Sequence, residues 1–400
     1  MMMVLSVVAM VQLVLTNGCS NIQDAMYESG SESVSNQAML NNENMIDGDE
    51  AIQIANRIVS QKETRTDEIA VRNVEYICRQ QNTRNLDVSD TIAYIVNYEN
   101  ENGFAIISAD NRVFPILAYS HEGNFTLSNE IAAENFISNI ESYIDNNSGI
   151  GIRYPELPDH QELIVVSPMV KCILGQKSPW DKYVVEEHPG CPVGCVALAA
   201  GTVISHAVKH ITYHGEHFFL SSIISAISPD DNEDDKTDSV IVSEGILYPL
   251  YTYTTAADRM AKLLYWIGKD INTTYAPSGS SAGMKKPYYL CQDLHLSIPS
   301  GWASYDINEM TNYLQDDCII CMTGKDQNEP YGHVWVVDGC AAIVEKKNNK
   351  SILQTYIHCD WGWYGGGNGY FSGDVFSVKG SNYRPYNYFA VSRKPLYSPK

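Results

Sequence analysis

The sequence predicts an α+β protein in which two folded modules follow an export segment. The first module is indicated by apolar residues at helical spacing from Ala51 to Val59, followed by a half-buried strand pattern from Ile92 to Tyr98. The second is indicated by an Ala-rich helix that begins at Cys195 and by an apolar strand that begins at His333. Helices and antiparallel strands in separate runs are typical of the α+β class.

Composition indicates the number of domains, and charge excludes one class of binding partner. The chain has 400 residues, of which 44% are hydrophobic, so it can bury a core in each of two domains. The formal net charge is -21, and no run of Lys and Arg occurs. Because a phosphate backbone is bound by clustered basic side chains, we expect no nucleic-acid partner.

The N-terminus is typical of an export signal. The stretch Val4–Leu15 is apolar except for two polar residues and is too short to span a bilayer stably. It is followed by Gly18 and Cys19, which resembles a bacterial lipobox. We therefore predict a signal peptide at 1–18, lipidation of Cys19 and anchoring at the cell envelope. A simple cleaved secretory signal is the alternative.

The order of the modules follows from the composition of the segments between them. Residues 20–46 are rich in polar side chains and are predicted to be a flexible tether. The first module covers 47–150, with Asp49 as N-cap of its helix and a hairpin at Asn102-Gly103. A segment with Asn, Gly and Pro at 151–164 is predicted to be a processing linker, and the second module covers 165–400.

A candidate nucleophile and base stand at the starts of the two elements of the second module. Cys195 follows Gly194 at the beginning of a helix, where the helix dipole stabilises a thiolate. His333 follows Gly332 at the beginning of a strand that could hold its imidazole at the edge of a cleft. A thiol needs such a base within hydrogen-bond reach to act as a nucleophile.

A third block contains a carboxylate between aromatic residues. Asp360 could orient the imidazole of His333, and Trp361 and Trp363 could shield that contact from water. A carboxylate in this place would favour the cationic imidazole.

These three blocks, in this order and spacing, resemble the streptopain family of papain-fold cysteine peptidases. The stretches Ala261–Gly268 and Ser278–Ala282 resemble the helix and the Gly/Ser-rich substrate loop of that family, and Ile106–Ser120 resembles its inhibitory propeptide. The resemblance implies a papain-like catalytic domain behind a small α+β inhibitory prodomain. It covers nearly the whole chain after the signal.

The resemblance also implies roles for individual residues. Gln176 matches the glutamine that donates to the oxyanion in the family, although the preceding tryptophan is replaced by Leu174. Asp360 stands where the family usually has Asn. Contacts with substrate are implied for the following residues: Ser280, Ser281, Gly332, Trp361 and Trp363.

Other cysteines and histidines offer weaker candidates for metal sites. The spacing of His206, His210 and His214 is good zinc geometry on one helix face, but the Glu of a metalloprotease motif is missing. Cys318 and Cys321 form a lone C-x-x-C string inside an apolar run. We therefore expect no metal and no other cofactor.

The sequence thus predicts a secreted cysteine endopeptidase that is made as a latent precursor. Its partners would be protein or peptide substrates and its own prodomain. Two alternatives stay open: an inactive papain-fold surface protein that binds a ligand, and a cell-wall peptide amidase or transpeptidase that uses the same Cys-His dyad.

Overall fold

A computed structural model of the chain describes residues 44–59, 69–79, 91–126, 131–147, 160–228, 239–243, 246–325, 332–347, 350–377 and 386–394. The predicted signal peptide (1–18), the lipidation site Cys19 and most of the tether (20–46) lie outside these residues. Among the helices that are described, none has the length and apolar character needed to cross a membrane.

The first module combines helices with an antiparallel sheet. Its elements are helix α1 (Gly48–Val59), strands β1 (Val71–Cys78), β2 (Thr91–Tyr98), β3 (Phe104–Ser108) and β4 (Ile116–Ser120), and helix α2 (Ile131–Asn147). The predicted hairpin is confirmed, since β2 pairs antiparallel with β3. The predicted N-cap is wrong: α1 begins at Gly48, and Asp47 accepts a hydrogen bond from the Glu50 N–H at 2.9 Å.

The second module begins with strand β5 (His160–Val166) and contains most of the helices. Its helices are α3 (Lys182–Glu187), α4 (Cys195–Ala207), α5 (Leu220–Ile227), α6 (Tyr253–Asp270), α7 (Lys286–Asp293), α8 (Ile307–Gln315) and α9 (Gly373–Phe376). Its further strands are β6 (Ile211–Tyr213), β7 (Glu216–Phe218), β8 (Ser239–Ser243), β9 (Ile246–Leu250), β10 (Ala303–Ser304), β11 (Cys318–Lys325), β12 (Gly332–Lys347), β13 (Lys350–Asp360), β14 (Gly369–Ser372) and β15 (Asn387–Ser392).

One sheet runs through both modules. Its strand order is β1-β2-β3-β4-β14-β13-β12-β11-β15-β10, and β5 pairs with β12 beside this path. The junction between the modules is the antiparallel pairing of β4 with β14, where Tyr119 is opposite Tyr370 and Ala118 is opposite Phe371. The two β-strand runs seen in the sequence are therefore parts of a single hydrogen-bonded sheet.

Helix α4 is buried between this sheet and helix α6. All of its residues except Cys195 and His206 are buried, because the small side chains of its Ala-rich sequence let neighbouring elements approach closely. At Gly201, an added Cβ would lie 2.3 Å from Cδ2 of Leu264 in α6. The glycine is thus required by the close contact of the two helices.

The modules also share a core of aromatic side chains. Phe136 of α2 lies 4.9 Å from Phe371 and 5.4 Å from Phe376, measured between ring centroids. Within the same buried cluster, Asn139 of α2 donates from Nδ2 to the Tyr386 hydroxyl at 2.8 Å. The first module is therefore packed against the second through its helix as well as its strand.

Strand β5 overlaps the end of the segment that the sequence predicts to be a linker. Strand β5 occupies residues 160–166 and so crosses the predicted junction between linker and second module at 164/165. Residues 163 and 164 of the predicted linker pair with Ala342 and Ala341 of β12. Residues 45–400 form one compact unit.

Candidate active site

Cys195 is the first residue of α4 and follows a tight turn. Gly194 has φ of +91°, and an added Cβ would lie 3.1 Å from the Ser280 carbonyl oxygen, so only glycine fits this turn. The helix N-terminus directs backbone N–H groups toward the sulfur.

The charge state of Cys195 reflects two opposing effects. The residue keeps some solvent access, but the protein packed around its sulfur raises the pKa of the thiol. The backbone N–H groups of Val334, Val196 and Cys195 oppose this effect by stabilising the thiolate. In this structure burial is the stronger effect, so the thiol is protonated at neutral pH.

His333 is the second residue of β12 and is 3% exposed. Its Nε2 lies 3.1 Å from the backbone carbonyl oxygen of Trp361. Because a carbonyl oxygen only accepts, Nε2 carries the proton and Nδ1 is left with a free lone pair. Burial lowers the pKa of His333 to about 4, against the opposing effect of the Trp361 carbonyl.

The candidate nucleophile and the candidate base are brought together by the packing of α4 on β12. The Cys195 sulfur contacts the backbone N–H of Val334, the residue that directly follows His333. Val334 and Val336 share a buried cluster with the apolar side chains of α4. Among the hydrogen bonds of the described residues, none joins the Cys195 sulfur to the His333 ring.

Asp360 is not the direct partner of His333 that the sequence analysis expected. Its Oδ1 accepts hydrogen bonds from the Gly362 N–H at 3.1 Å and from Asn368 Nδ2 at 3.0 Å. The Trp361 N–H in turn donates to Asn368 Oδ1 at 3.0 Å. Asp360 therefore holds the turn that carries the Trp361 carbonyl, and acts on His333 only through that turn.

The carboxyl of Asp360 is difficult to ionise in this position. Burial, followed by the negative charge of Asp338, raises its pKa to about 6, although the bonds from Gly362 and Asn368 oppose the rise. The expectation that a carboxylate beside His333 favours the imidazolium is therefore corrected, because the pKa of His333 is governed by burial and by the Trp361 carbonyl.

Trp361 also differs from its predicted role. Its indole is 1% exposed and lies in the shared core, 5.1 Å from the rings of Trp335 and Phe371. In this position the side chain cannot contact a substrate. The part of Trp361 that contacts the site is its backbone carbonyl, which accepts from His333 Nε2. Trp363 is partly buried at the edge of the same cluster.

A second part of the site is built on the turn before Cys195. Gln176 is 6% exposed, and its backbone carbonyl oxygen accepts a hydrogen bond from the Val193 N–H at 2.8 Å. Ser280 is 9% exposed and donates from Oγ to the Pro192 carbonyl at 2.6 Å. Gln176 and Ser280 thus both fix the turn that leads to Cys195.

The other two predicted substrate residues are exposed. Ser281 forms a backbone bridge with Thr274, and Gly332 is the exposed first residue of β12. Ser281, Gly332 and Trp363 remain predicted substrate contacts.

The structure adds a buried ion pair that the sequence analysis did not single out. Asp338 has no exposed surface; its Oδ1 contacts His358 Nδ1 at 2.6 Å, and its Oδ2 accepts from the Val170 N–H at 2.7 Å. Burial lowers the pKa of His358, but the charge and hydrogen bond of Asp338 outweigh it and raise that pKa. The sequence signal for this ion pair is the Asp338-Gly339 pair, which lies five residues after His333 in the same strand.

The candidate metal ligands are dispersed. Helix α4 ends at Ala207, so His210 and His214 do not continue the helical spacing of His206, and His214 instead stacks on Trp266. Cys318 and Cys321 are both buried in β11. Over the described ranges, no group of three or more His, Cys, Asp or Glu side chains could hold a metal ion.

Comparisons with known proteins identify two families along the chain. The family described as Spi protease inhibitor matches residues 43–144, and the family described as Peptidase C10 matches residues 174–371. Among solved structures, the chain is similar to a fragment of prointerpain A from Prevotella intermedia that carries a Cys-to-Ala mutation. The identity is 18% and the TM-score is 0.48, over 81% of this chain and 100% of that one. Among curated proteins, none matches the chain.

Proposed function

Because the chain belongs to the Peptidase C10 family, with a Spi protease inhibitor segment ahead of the peptidase segment, we propose that it is a secreted cysteine endopeptidase that uses Cys195 and His333. The two family matches confirm the predicted streptopain-type resemblance, the papain-like α+β fold class and the cysteine peptidase activity. They also make the chain a protease precursor. The dyad and export belong to the proposal.

One observation carries the assignment of the dyad. The Cys195 sulfur, at the N-terminus of a buried helix, contacts the N–H of the residue next to His333, whose Nε2 is occupied by a carbonyl. Such an arrangement supports a thiol nucleophile with Nδ1 of the imidazole as its base. No other cysteine of the described residues stands at a helix N-terminus beside a histidine.

The chemistry requires each group to change its protonation state in turn. Nδ1 of His333 removes the thiol proton, the Cys195 sulfur attacks the peptide carbonyl carbon, and Nδ1–H then protonates the departing amine. A water that His333 deprotonates hydrolyses the thioester and releases the carboxylic acid. The Cys195 N–H and the Gln176 side chain would hold the oxyanion, and one such donor is typically worth about 3 kcal/mol of barrier.

The charge states in the precursor support latency. With its pKa near 4, the His333 imidazole is neutral above that pH, while the raised pKa of Cys195 keeps the thiol protonated. The thiolate-imidazolium pair that attacks a substrate is therefore not formed at neutral pH. The side chains of the first module pack in the same core as Trp335, whose ring stacks on that of His333 with 6.0 Å between the ring centroids.

Activation would then require a cut between the modules. Strand β5 is hydrogen bonded to β12 along its length, so its backbone from 160 to 166 is protected from proteolysis. We expect the cut to fall between residues 145 and 167. Within this range we expect it before His160 or directly after Val166, where Ser167 is exposed. Such a cut would also free the enzyme from a lipid at Cys19, which keeps the precursor at the envelope.

The precursor itself provides the test of this function. Purified wild-type precursor is followed by mass analysis and casein cleavage, beside Cys195→Ala. We expect the wild-type chain to shorten at 145–167 as activity appears, and Cys195→Ala to keep its full mass. Casein cleavage by Cys195→Ala at the wild-type rate would overturn the dyad, and full activity of the uncut precursor would overturn latency. Extraction into detergent, with loss on Cys19→Ser, tests the lipid anchor.

A further inference from the structure

Tyr364 is hydrogen bonded to both sides of the loop that carries Gln176. Its backbone N–H donates to the Leu174 carbonyl at 2.9 Å. Its hydroxyl accepts from the Lys177 N–H at 2.8 Å and donates to the Ser178 carbonyl at 3.1 Å. One residue therefore fixes the backbone two positions before Gln176 and one and two positions after it.

The ring of Tyr364 lies directly on the same loop. An added Cβ on Gly175 would be 2.3 Å from two carbon atoms of the ring, so the contact exists only because residue 175 is glycine. Tyr364 itself has φ of +55°, a left-handed conformation that is uncommon for a bulky residue. Such a conformation persists where the surroundings over-determine it, and here the loop supplies three hydrogen bonds and a ring contact.

The loop from Leu174 to Ser178 is also hydrogen bonded to the turn before Cys195. The backbone carbonyl oxygen of Gln176 accepts a hydrogen bond from the N–H of Val193, which lies two residues before Cys195. The backbone of Gln176 is thus fixed by Tyr364 on one side and by the turn before Cys195 on the other. A donor to an oxyanion works only when its position is set before the charge develops.

We propose that Tyr364 is a positioning residue that holds the Gln176 side chain where it can donate to the oxyanion. This inference rests on the proposed function, since it assumes that Gln176 is an oxyanion donor. Burial raises the pKa of the Tyr364 phenol, so the hydroxyl keeps its proton, and with it both hydrogen bonds, over the neutral range.

The test compares Tyr364→Phe with Gln176→Ala in the full-length chain after processing. Phe keeps the ring and removes both hydroxyl bonds. We expect kcat on a peptide amide to fall about 10-fold, because losing a donor completely costs about 100-fold or more and here the donor is only displaced. KM should stay within about twofold, since the oxyanion forms only in the transition state. Tyr289→Phe, which removes the hydroxyl of another exposed tyrosine, is the matched control and should leave kcat unchanged.

Two further measurements separate this role from a general structural one. Alkylation of Cys195 by iodoacetamide forms no oxyanion, so its rate should be unchanged in Tyr364→Phe. In the double variant Tyr364→Phe/Gln176→Ala, kcat should equal that of Gln176→Ala alone, because the positioned group is gone.

The outcomes distinguish the two hypotheses. If Gln176→Ala keeps its kcat, the oxyanion role of Gln176 is wrong, and this inference falls with it. If Gln176→Ala loses kcat but Tyr364→Phe does not, only the positioning role is wrong. A loss in Tyr364→Phe that is equal in kcat and alkylation, or that adds fully to Gln176→Ala, would also overturn it.

Discussion

The imidazole of His333 is held by the backbone carbonyl of Trp361, 3.1 Å from Nε2, and not by a side chain. This contact fixes the tautomer, and in the proposed dyad it leaves Nδ1 as the atom that accepts the proton of Cys195. Because the acceptor is a backbone atom, its position depends on the turn from Asp360 to Asn368. Residues that never touch the imidazole can therefore control it.

We expect Asn368→Ala to lower kcat about 10-fold or more, because a misplaced base reduces the rate steeply. The change removes the acceptor for the Trp361 N–H and the donor to Asp360. Peptide hydrolysis by the processed enzyme measures the effect. The exposed Asn308→Ala is the control, and an unchanged kcat in Asn368→Ala would show that the turn does not position His333.

We expect Asp360→Asn to stabilise the protein at neutral pH. The folded pKa of Asp360 is about 6, above the ordinary value of about 3.9, so folding disfavours its ionised form. The cost is absent below about pH 4, grows as pH rises, and is complete above pH 6. Asn can accept the same two bonds without this cost, which is up to about 3 kcal/mol for two pH units.

Urea unfolding of the Cys195→Ala precursor, with and without Asp360→Asn, measures this difference in the free energy of unfolding. The gain should be present at pH 7.5 and disappear near pH 4. An equal gain at both values would mean that the carboxyl ionises normally.

The buried state of the dyad predicts how the precursor reacts with iodoacetamide. Because the pKa of Cys195 is raised and that of His333 is about 4, alkylation should be slow at pH 6 and increase into the alkaline range. The processed enzyme should instead react at a steady rate across neutral pH, as an ion pair does. Mass analysis of the peptide that contains Cys195 gives both profiles, and identical profiles would argue against a neutral dyad as the cause of latency.

The contact of Asn139 with the second module predicts a faster-activating variant. Asn139→Leu removes the donor to the Tyr386 hydroxyl and to the Val375 carbonyl, and the loss of these two buried hydrogen bonds costs about 1–3 kcal/mol. The prodomain should be released more easily, and the precursor should process several-fold faster. Asn146→Ala, at an exposed position of the same helix, is the control for a mass time course. Equal rates would mean that α2 does not limit release.

Helix packing at Gly201 predicts that Gly201→Ala has opposite effects on the free energy of unfolding in the wild-type protein and in Leu264→Ala. In the wild-type core, Gly201→Ala meets Leu264 and should destabilise by about 1–3 kcal/mol despite the better helix propensity of alanine. With Leu264→Ala, the same change should stabilise by up to about 1 kcal/mol. Urea unfolding of all four forms gives the coupling, and its absence would mean that the helices do not meet there.

Local patterns predicted the positions of the candidate nucleophile and base. Cys195 and His333 begin a helix and a strand whose periodicity is visible within a few residues, and the structure has both elements there. The role of Asp360 was missed because it depends on Asn368, which reaches it only through the folding of the intervening turn. The sequence predicts the N-cap at Asp49 and not at Asp47 because two acidic residues two positions apart cannot be distinguished by pattern alone.

Long-range pairing was the part of the fold that the sequence did not reveal. Residues 160–164 of β5 have the sequence pattern of a linker because their partner strand β12 lies far along the chain. The pairing of β4 with β14 likewise joins segments about 250 residues apart, and no local signal specifies such a register.

The pairing of β4 with β14 gives the prodomain a part in the assembly of the enzyme. When β4 leaves, the described sheet order makes β14 an edge strand with unpaired backbone groups, and its residue Phe371 loses the cover of Phe104 and Phe136. An apolar edge of this kind is a template for association between chains. During synthesis the first module is made before β14, so β4 is already present to pair with β14 when that strand folds. The prodomain would thus act as an intramolecular chaperone, and a catalytic segment refolded without it should aggregate.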